Sequence, residues 1–237
     1  MIILVKPAKL IKRYKRFLTD VTLPDNTETT IHCANTGAMK GCGQPGDTIW
    51  YSKSNNLKRK YPLSWEVIQD QNNNFICVNT LRANQLVEEA LQQGVIKEVN
   101  TFDNLKREVK YGTENSRVDF FTSSKNTPDT FIEVKSVTLL EQSQGYFPDT
   151  VTTRGQKHLR ELIAMVNKGH RAILLFAVLN SGINNVRAAR HIDPIYAKLL
   201  REANEAGVEI IAYKAEFNFI KNKLSMCLVK KIDVISQ

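Results

Sequence analysis

No run of 18 apolar residues occurs among the 237 positions, so a membrane-spanning helix is not expected. The stretch Met1–Lys9 also lacks an apolar segment long enough for a secretory signal. Cysteine is scarce. Cys33, Cys42, Cys77 and Cys227 show no Cys-x-x-Cys spacing, which argues against a zinc site and leaves reduced cytosolic thiols as the default. His32 lies beside Cys33 and near Cys42, but no fourth ligand accompanies them. Internal repeats and low-complexity tracts are absent. Acid is in short supply too: Asp+Glu 24 against Lys+Arg 33 gives a net charge of +9. That excess favours a polyanionic partner, nucleic acid before membrane. The expectation is a cytoplasmic protein of two domains or one large one.

The chemistry concentrates in one stretch, Phe131-Ile132-Glu133-Val134-Lys135. Its apolar and β-branched residues read as a buried strand. Side chains alternate along a strand, so Glu133 and Lys135 share a face. Asp119 lies fourteen residues earlier in an equally apolar strand, Ser116–Phe121. Burying such charges unpaired costs several kcal/mol, about 3–5 when one partner of a pair is lost. Two carboxylates and a lysine on adjacent strands can hold a hard cation through oxygen, with the lysine facing a water or a phosphate. The plain alternative is a Glu133–Lys135 ion pair at a sheet edge.

The first 78 residues read as short strands broken by turns. Val21–Leu23 and Thr29–Cys33 flank Pro24-Asp25-Asn26 as a hairpin. Gly37, Gly41, Gly43 and Pro45-Gly46 punctuate a loop, and Thr48–Ser52 and Ser64–Gln69 follow as strands. Such a run predicts a small β-barrel of the OB type over residues 1–78. From residue 79 the period changes. A helix capped by Asn79 or Thr80 runs to about Gln93 and stops at Gly94. Three strands follow, Leu105–Lys110, Arg117–Phe121 and Thr130–Val137, the last two joined by a turn at Thr127-Pro128-Asp129. A helix at Gln156–Asn167, an apolar strand at Arg171–Leu179, a helix opened by Asp193-Pro194 and a strand at Val208–Phe217 complete residues 79–237. This order predicts a mixed sheet with helices on its faces.

That arrangement, with Asp119 and Glu133-x-Lys135 on the second and third strands, resembles the PD-(D/E)xK nuclease superfamily. The resemblance implies that Asp119 and Glu133 bind Mg²⁺ or Mn²⁺ and that Lys135 orients the attacking water. It also implies a completing glutamate on the first helix: Glu89 is the candidate, with Glu88 and Glu114 as alternatives. Val118 stands where the superfamily pattern has a proline. A closer resemblance spans most of the chain. The blocks Arg13-Tyr14-Lys15-Arg16-Phe17-Leu18, Asn35-Thr36-Gly37-Ala38-Met39, Glu133-Val134-Lys135-Ser136-Val137-Thr138, Tyr146-Phe147-Pro148-Asp149 and Arg154-Gly155-Gln156-Lys157-His158-Leu159 are similar to the bacterial sugar fermentation stimulation protein A family. This implies an OB-like domain, a nuclease-like domain, non-specific DNA binding and a link to sugar, chiefly maltose, metabolism.

The DNA contacts expected from the residues are Arg13, Tyr14, Lys15 and Arg16, where cations alternate with rings that can stack on bases, and the loop Lys58-Arg59-Lys60. Lys157 is a further phosphate contact. Lys157 and His158 open the second helix of the nuclease-like half, either over the site or as surface residues. His170 and His191 read as structural. The sequence therefore points to a DNA-binding protein that is a metal-dependent phosphodiesterase, with a non-cleaving regulator of sugar genes as the alternative and RNA as a weaker choice of substrate.

Overall fold

The computed structural model describes residues 1–35, 37–39, 42–99, 101–125 and 127–235. Thr36 and Gly41, expected in the loop after Cys33, lie outside the described residues. The chain begins with β1 (Ile2–Leu4) and continues through β2 (Lys6–Tyr14), β3 (Leu18–Thr22), β4 (Glu28–Cys33), β5 (Thr48–Lys53), β6 (Leu63–Gln69) and β7 (Phe75–Cys77). Then come α1 (Leu81–Gln92), β8 (Asn104–Tyr111), β9 (Ser116–Ser124), β10 (Thr127–Val137), β11 (Leu139–Glu141) and β12 (Gln144–Phe147). The rest is α2 (Thr153–Asn167), β13 (Arg171–Val178), β14 (Asn185–Ala188), α3 (Pro194–Glu205), β15 (Glu209–Ile220) and β16 (Lys223–Val234).

Strands β2 to β6 close into the expected OB-type barrel. Their order is β4-β3-β2-β5-β6, with β7 added beyond β6, and parallel pairing of His32 with Ser64 and Cys33 with Trp65 joins β4 to β6. Alternation sends Leu10, Val21, Ile31, Ile49 and Trp65 inward, and the register shift at Glu66 brings Ile68 to the same face. Register shifts between Leu10 and Lys12 and between Trp50 and Tyr51 supply the bends that closure needs. Leu23 and Thr27 close the predicted β3–β4 hairpin around Asn26, whose φ of +65° is one an Asn tolerates.

The second sheet has ten strands, nine in the order β11-β12-β14-β16-β15-β13-β10-β9-β8, with β1 pairing antiparallel to β16. Strand β13 is central, and its side chains are divided between two cores. Ile173, Leu175 and Ala177 pack with Leu86, Val87 and Leu91 of α1. Ala172, Leu174, Phe176 and Val178 pack with residues of α2 and α3. The Asp193 side chain caps α3, accepting from the Tyr196 amide at 2.8 Å, as the Asp-Pro pair predicts.

Three expectations change. Thr127-Pro128-Asp129 is not a turn. Thr127 pairs with Ser124 and a register shift follows before Thr130, so Pro128, which has no N–H to give, sits at the irregular end of the ladder. The stretch between Val137 and Gln156, for which the sequence suggests no element, contains β11 and β12, and Tyr146 and Phe147 lie in β12. α2 begins at Thr153, three residues early, because the Thr152 hydroxyl accepts from the Gly155 amide.

The barrel is bonded to the larger sheet at several points. The Cys77 amide donates to Leu179 O, Phe75 N donates to Ser181 Oγ, and Ile76 bridges Asn180. Trp50 and Phe75 stack with Phe217 and Phe219 of β15. Beneath them Glu66, fully buried, takes a fork from Arg82 at 2.9 and 2.7 Å, the Asn79 amide at 2.8 Å and the Ser52 hydroxyl at 2.6 Å.

Candidate active site

β9 and β10 pair from Thr130 opposite Thr122 to Ile132 opposite Phe120, and their ladder ends one step before Asp119 and Glu133. β10 continues beside β13 to Val137, so β9 separates from it at this point. The Val134 amide, released from that ladder, donates to Asp119 Oδ2 at 2.8 Å. Asn84 of α1 donates to the other oxygen at 2.8 Å. Glu133 is 2% exposed. Its Oε1 accepts from Lys135 Nζ at 2.7 Å and is hydrogen-bonded to His158 Nδ1, while Oε2 is buried without a partner among the described residues.

The two acids are driven apart electrostatically. Burial raises the Asp119 carboxyl and the Glu133 charge raises it further, outweighing Val134, Asn84 and Lys135. Burial would raise Glu133 as well, but Lys135 and His158 overcome it and hold Glu133 below the ordinary carboxylate value. The Tyr111 hydroxyl is buried and unpartnered beside this pair, and burial followed by the Glu133 charge pushes its ionisation upward.

An orphaned carboxylate oxygen next to a second, poorly stabilised carboxylate is the donor chemistry of a hard divalent cation. Among the described residues no three His, Cys, Asp or Glu side chains converge into a cage. Mg²⁺ suits such a sparse set, since it takes one or two carboxylates and fills its octahedron with water and phosphate oxygens.

Each glutamate considered for completing the pair is engaged elsewhere. Glu89 pairs with the terminal ammonium of Met1 at 2.6 Å, Glu88 with Arg107 at 3.1 Å, and Glu114 holds Arg160 at 2.9 and 2.8 Å. The residue that α1 does send to Asp119 is Asn84, unforeseen in the sequence. Its spacing from Val87 and Leu91, on the buried stripe of the helix, was the available signal. His158 is buried on Glu133, while the Lys157 ammonium donates to the carbonyls of Glu114 and Asn115. Buried Glu161 accepts from the amides of Thr113 and Glu114, so α2 grips the β8–β9 turn.

The barrel cations differ in availability. Arg13 is half-buried and donates to the carbonyls of Arg16, Asn35 and Gly37. The Tyr14 hydroxyl is tied to Asp20 at 3.1 Å. Lys15 and Arg16 form the exposed β2–β3 turn, with exposed Phe17 beside them. Lys58 and Lys60 are exposed on the β5–β6 loop, and Arg59 is partly covered. The Met39 amide donates to Asp149, just beyond β12, at 3.3 Å. Among the described residues no helix is long and apolar enough to cross a membrane.

An OB barrel followed by a restriction-endonuclease-like sheet, with two acids and a lysine where two strands part, defines a nuclease-like protein class. Two family models match: the sugar fermentation stimulation protein RE domain over residues 81–220 and the SfsA N-terminal OB domain over 11–78. Sugar fermentation stimulation protein homologues from two strains of Aliivibrio fischeri, MJ11 and ES114, are each 60% identical over 221 residues, 93% of this chain and 94% of theirs. The solved structure of Pyrococcus furiosus SfsA in complex with Ca²⁺ matches at 25% identity and a TM-score of 0.83, covering 98% of this chain and 96% of that one. The chain belongs to the sugar fermentation stimulation (SfsA) family.

Proposed function

We propose that the protein is a DNA phosphodiesterase dependent on Mg²⁺ or Mn²⁺, working in the cytoplasm. In this reading the barrel of β2 to β6 holds DNA without sequence preference, and the larger sheet, which β1 joins from the other side of the barrel in sequence, carries the chemistry. The observation that carries the reading is the unpartnered, buried Glu133 Oε2 on a carboxylate close enough to Asp119 for its charge to raise the Asp119 carboxyl. Ca²⁺ in the solved Pyrococcus furiosus relative supports a divalent-cation site on this fold. A bound cation would polarise a phosphoryl oxygen and acidify a water. Asp119 and Glu133 would hold it, and their mutual repulsion would fall. Lys135 gives one of its three N–H bonds to Glu133 and has two left for a phosphate oxygen or the attacking water.

The test is purified protein with single-stranded, duplex and branched DNA in Mg²⁺, Mn²⁺ or chelator. Asp119→Ala should abolish cleavage and cation binding yet leave DNA retention by the barrel intact. Lys135→Ala should keep the cation and lose turnover. Cleavage in chelator, or full activity in Asp119→Ala, would refute the assignment. A second reading, a non-cleaving DNA-binding regulator of sugar genes, is favoured by Asn84 standing where a third carboxylate would strengthen the site. Cation binding and DNA retention without cleavage of any substrate would select it.

A further inference from the structure

Glu133 has two chemically equivalent oxygens, yet the protein treats them unequally. Oε1 receives Lys135 Nζ at 2.7 Å and His158 Nδ1, and Oε2 receives nothing among the described residues. Lys135 alone cannot impose that difference, because an ammonium on a four-carbon stem can follow either oxygen as the carboxylate turns. His158 can. Its ring is buried in α2, and its far nitrogen Nε2 lies 3.5 Å from Arg154 Nε, one helical turn earlier on the same face. An ionised carboxylate oxygen only accepts, so Nδ1 of the His158 ring carries a proton. That N–H is directed at Glu133 Oε1. Lys135 Nζ and His158 Nδ1 are 3.2 Å apart as two donors converging on one acceptor, not as partners of each other.

We propose that His158 is a positioning residue whose Nδ1–H fixes the rotation of the Glu133 carboxylate, so that Oε2 is the oxygen left for a cation. The metal side of this inference rests on the proposed function above. Partners that orient a metal-binding side chain typically alter metal affinity 10–100-fold when removed.

The experiment separates orientation from packing by isostere choice. An asparagine side chain places its amide nitrogen near Nδ1, whereas glutamine places it near Nε2. Mn²⁺ affinity is measured by calorimetry on wild type, His158→Asn, His158→Gln and His158→Leu, with thermal melts of each. The expected pattern is wild-type affinity in His158→Asn and a loss of about 10–100-fold in the other two. Wild-type affinity in all four, or equal loss in all three variants, overturns the assignment. Long-range proton–nitrogen NMR on the cation-free protein reads the tautomer directly. A proton on Nδ1 supports the inference, and an unprotonated Nδ1 overturns it whether or not any cation binds. If wild type binds no Mn²⁺, the cation reading fails and the orienting role falls with it. If wild type binds Mn²⁺ and the isostere pattern is absent, this inference alone fails.

Discussion

Glu66 and Glu133 are both buried glutamates, 0% and 2% exposed, but they sit at different kinds of place. Glu66, on the seam between barrel and sheet, has both oxygens filled by Arg82, Asn79 and Ser52. Glu133, at the fork of β9 and β10, has one oxygen doubly filled and the other empty among the described residues. A carboxylate fully paired inside a protein fixes geometry. One left half-paired carries an uncompensated cost unless a further group is meant to arrive. Charge and burial are alike at the two sites, so the accounting of individual oxygens is what separates structure from chemistry.

The largest expected effect tests the structural side. Arg82→Ala leaves Glu66 as a buried, unpaired charge and should destabilise the chain by about 3–5 kcal/mol. Urea unfolding should register that loss, while Mn²⁺ affinity of the folded fraction stays at the wild-type value. A fall in affinity equal to that of an Asp119 variant would erase the distinction.

Next is Asp119→Asn. The folded Asp119 carboxyl is raised above its ordinary 3.8, first by burial and then by Glu133. Ionising it therefore costs stability, and the cost grows as pH rises from 3.8 through the folded value. Without divalent cation the variant should melt higher than wild type near neutral pH, on a scale of about 2–4 °C per kcal/mol. That gain should vanish below about pH 4, where Asp119 is protonated in both folded and unfolded chains. A gain that does not change with pH would mean the two acids do not repel.

The smallest effect concerns the barrel. Lys58→Ala with Lys60→Ala should leave the melting temperature unchanged. It should reduce the slope of log affinity against log salt on duplex DNA by about 0.9 for each phosphate no longer neutralised. An unaltered slope would remove this loop from the DNA-binding face.

Much of this is legible in the sequence, for local reasons. The charged pair Glu133 and Lys135 stands out because it interrupts an apolar strand on one face, and α3 because Asp193-Pro194 is a complete start signal. The features that escape depend on distant partners. Strand β16 alternates Leu224, Met226 and Leu228 inward, yet lysines surround them and its pairing with β15 and β1 is long-range. Thr127-Pro128-Asp129 has turn chemistry, overridden by pairing with β9. Asn84 is no carboxylate, so only its fold-dependent reach to Asp119 marks it. His158 reads equally well as surface or site residue, because its partner lies 25 residues away.

The pairing of β1 with β16 makes the barrel an insertion rather than an N-terminal appendage. As the chain leaves the ribosome, β2 to β6 can close as soon as Gln69 has emerged, since every partner is already present. Ile2–Leu4 must wait for Lys223–Val234, made more than 200 residues later. The sheet that carries Asp119 and Glu133 is therefore complete only once β16 has emerged and β1 has found it. A nascent chain has a completed nucleic-acid-type barrel well before it has a completed nuclease-like sheet.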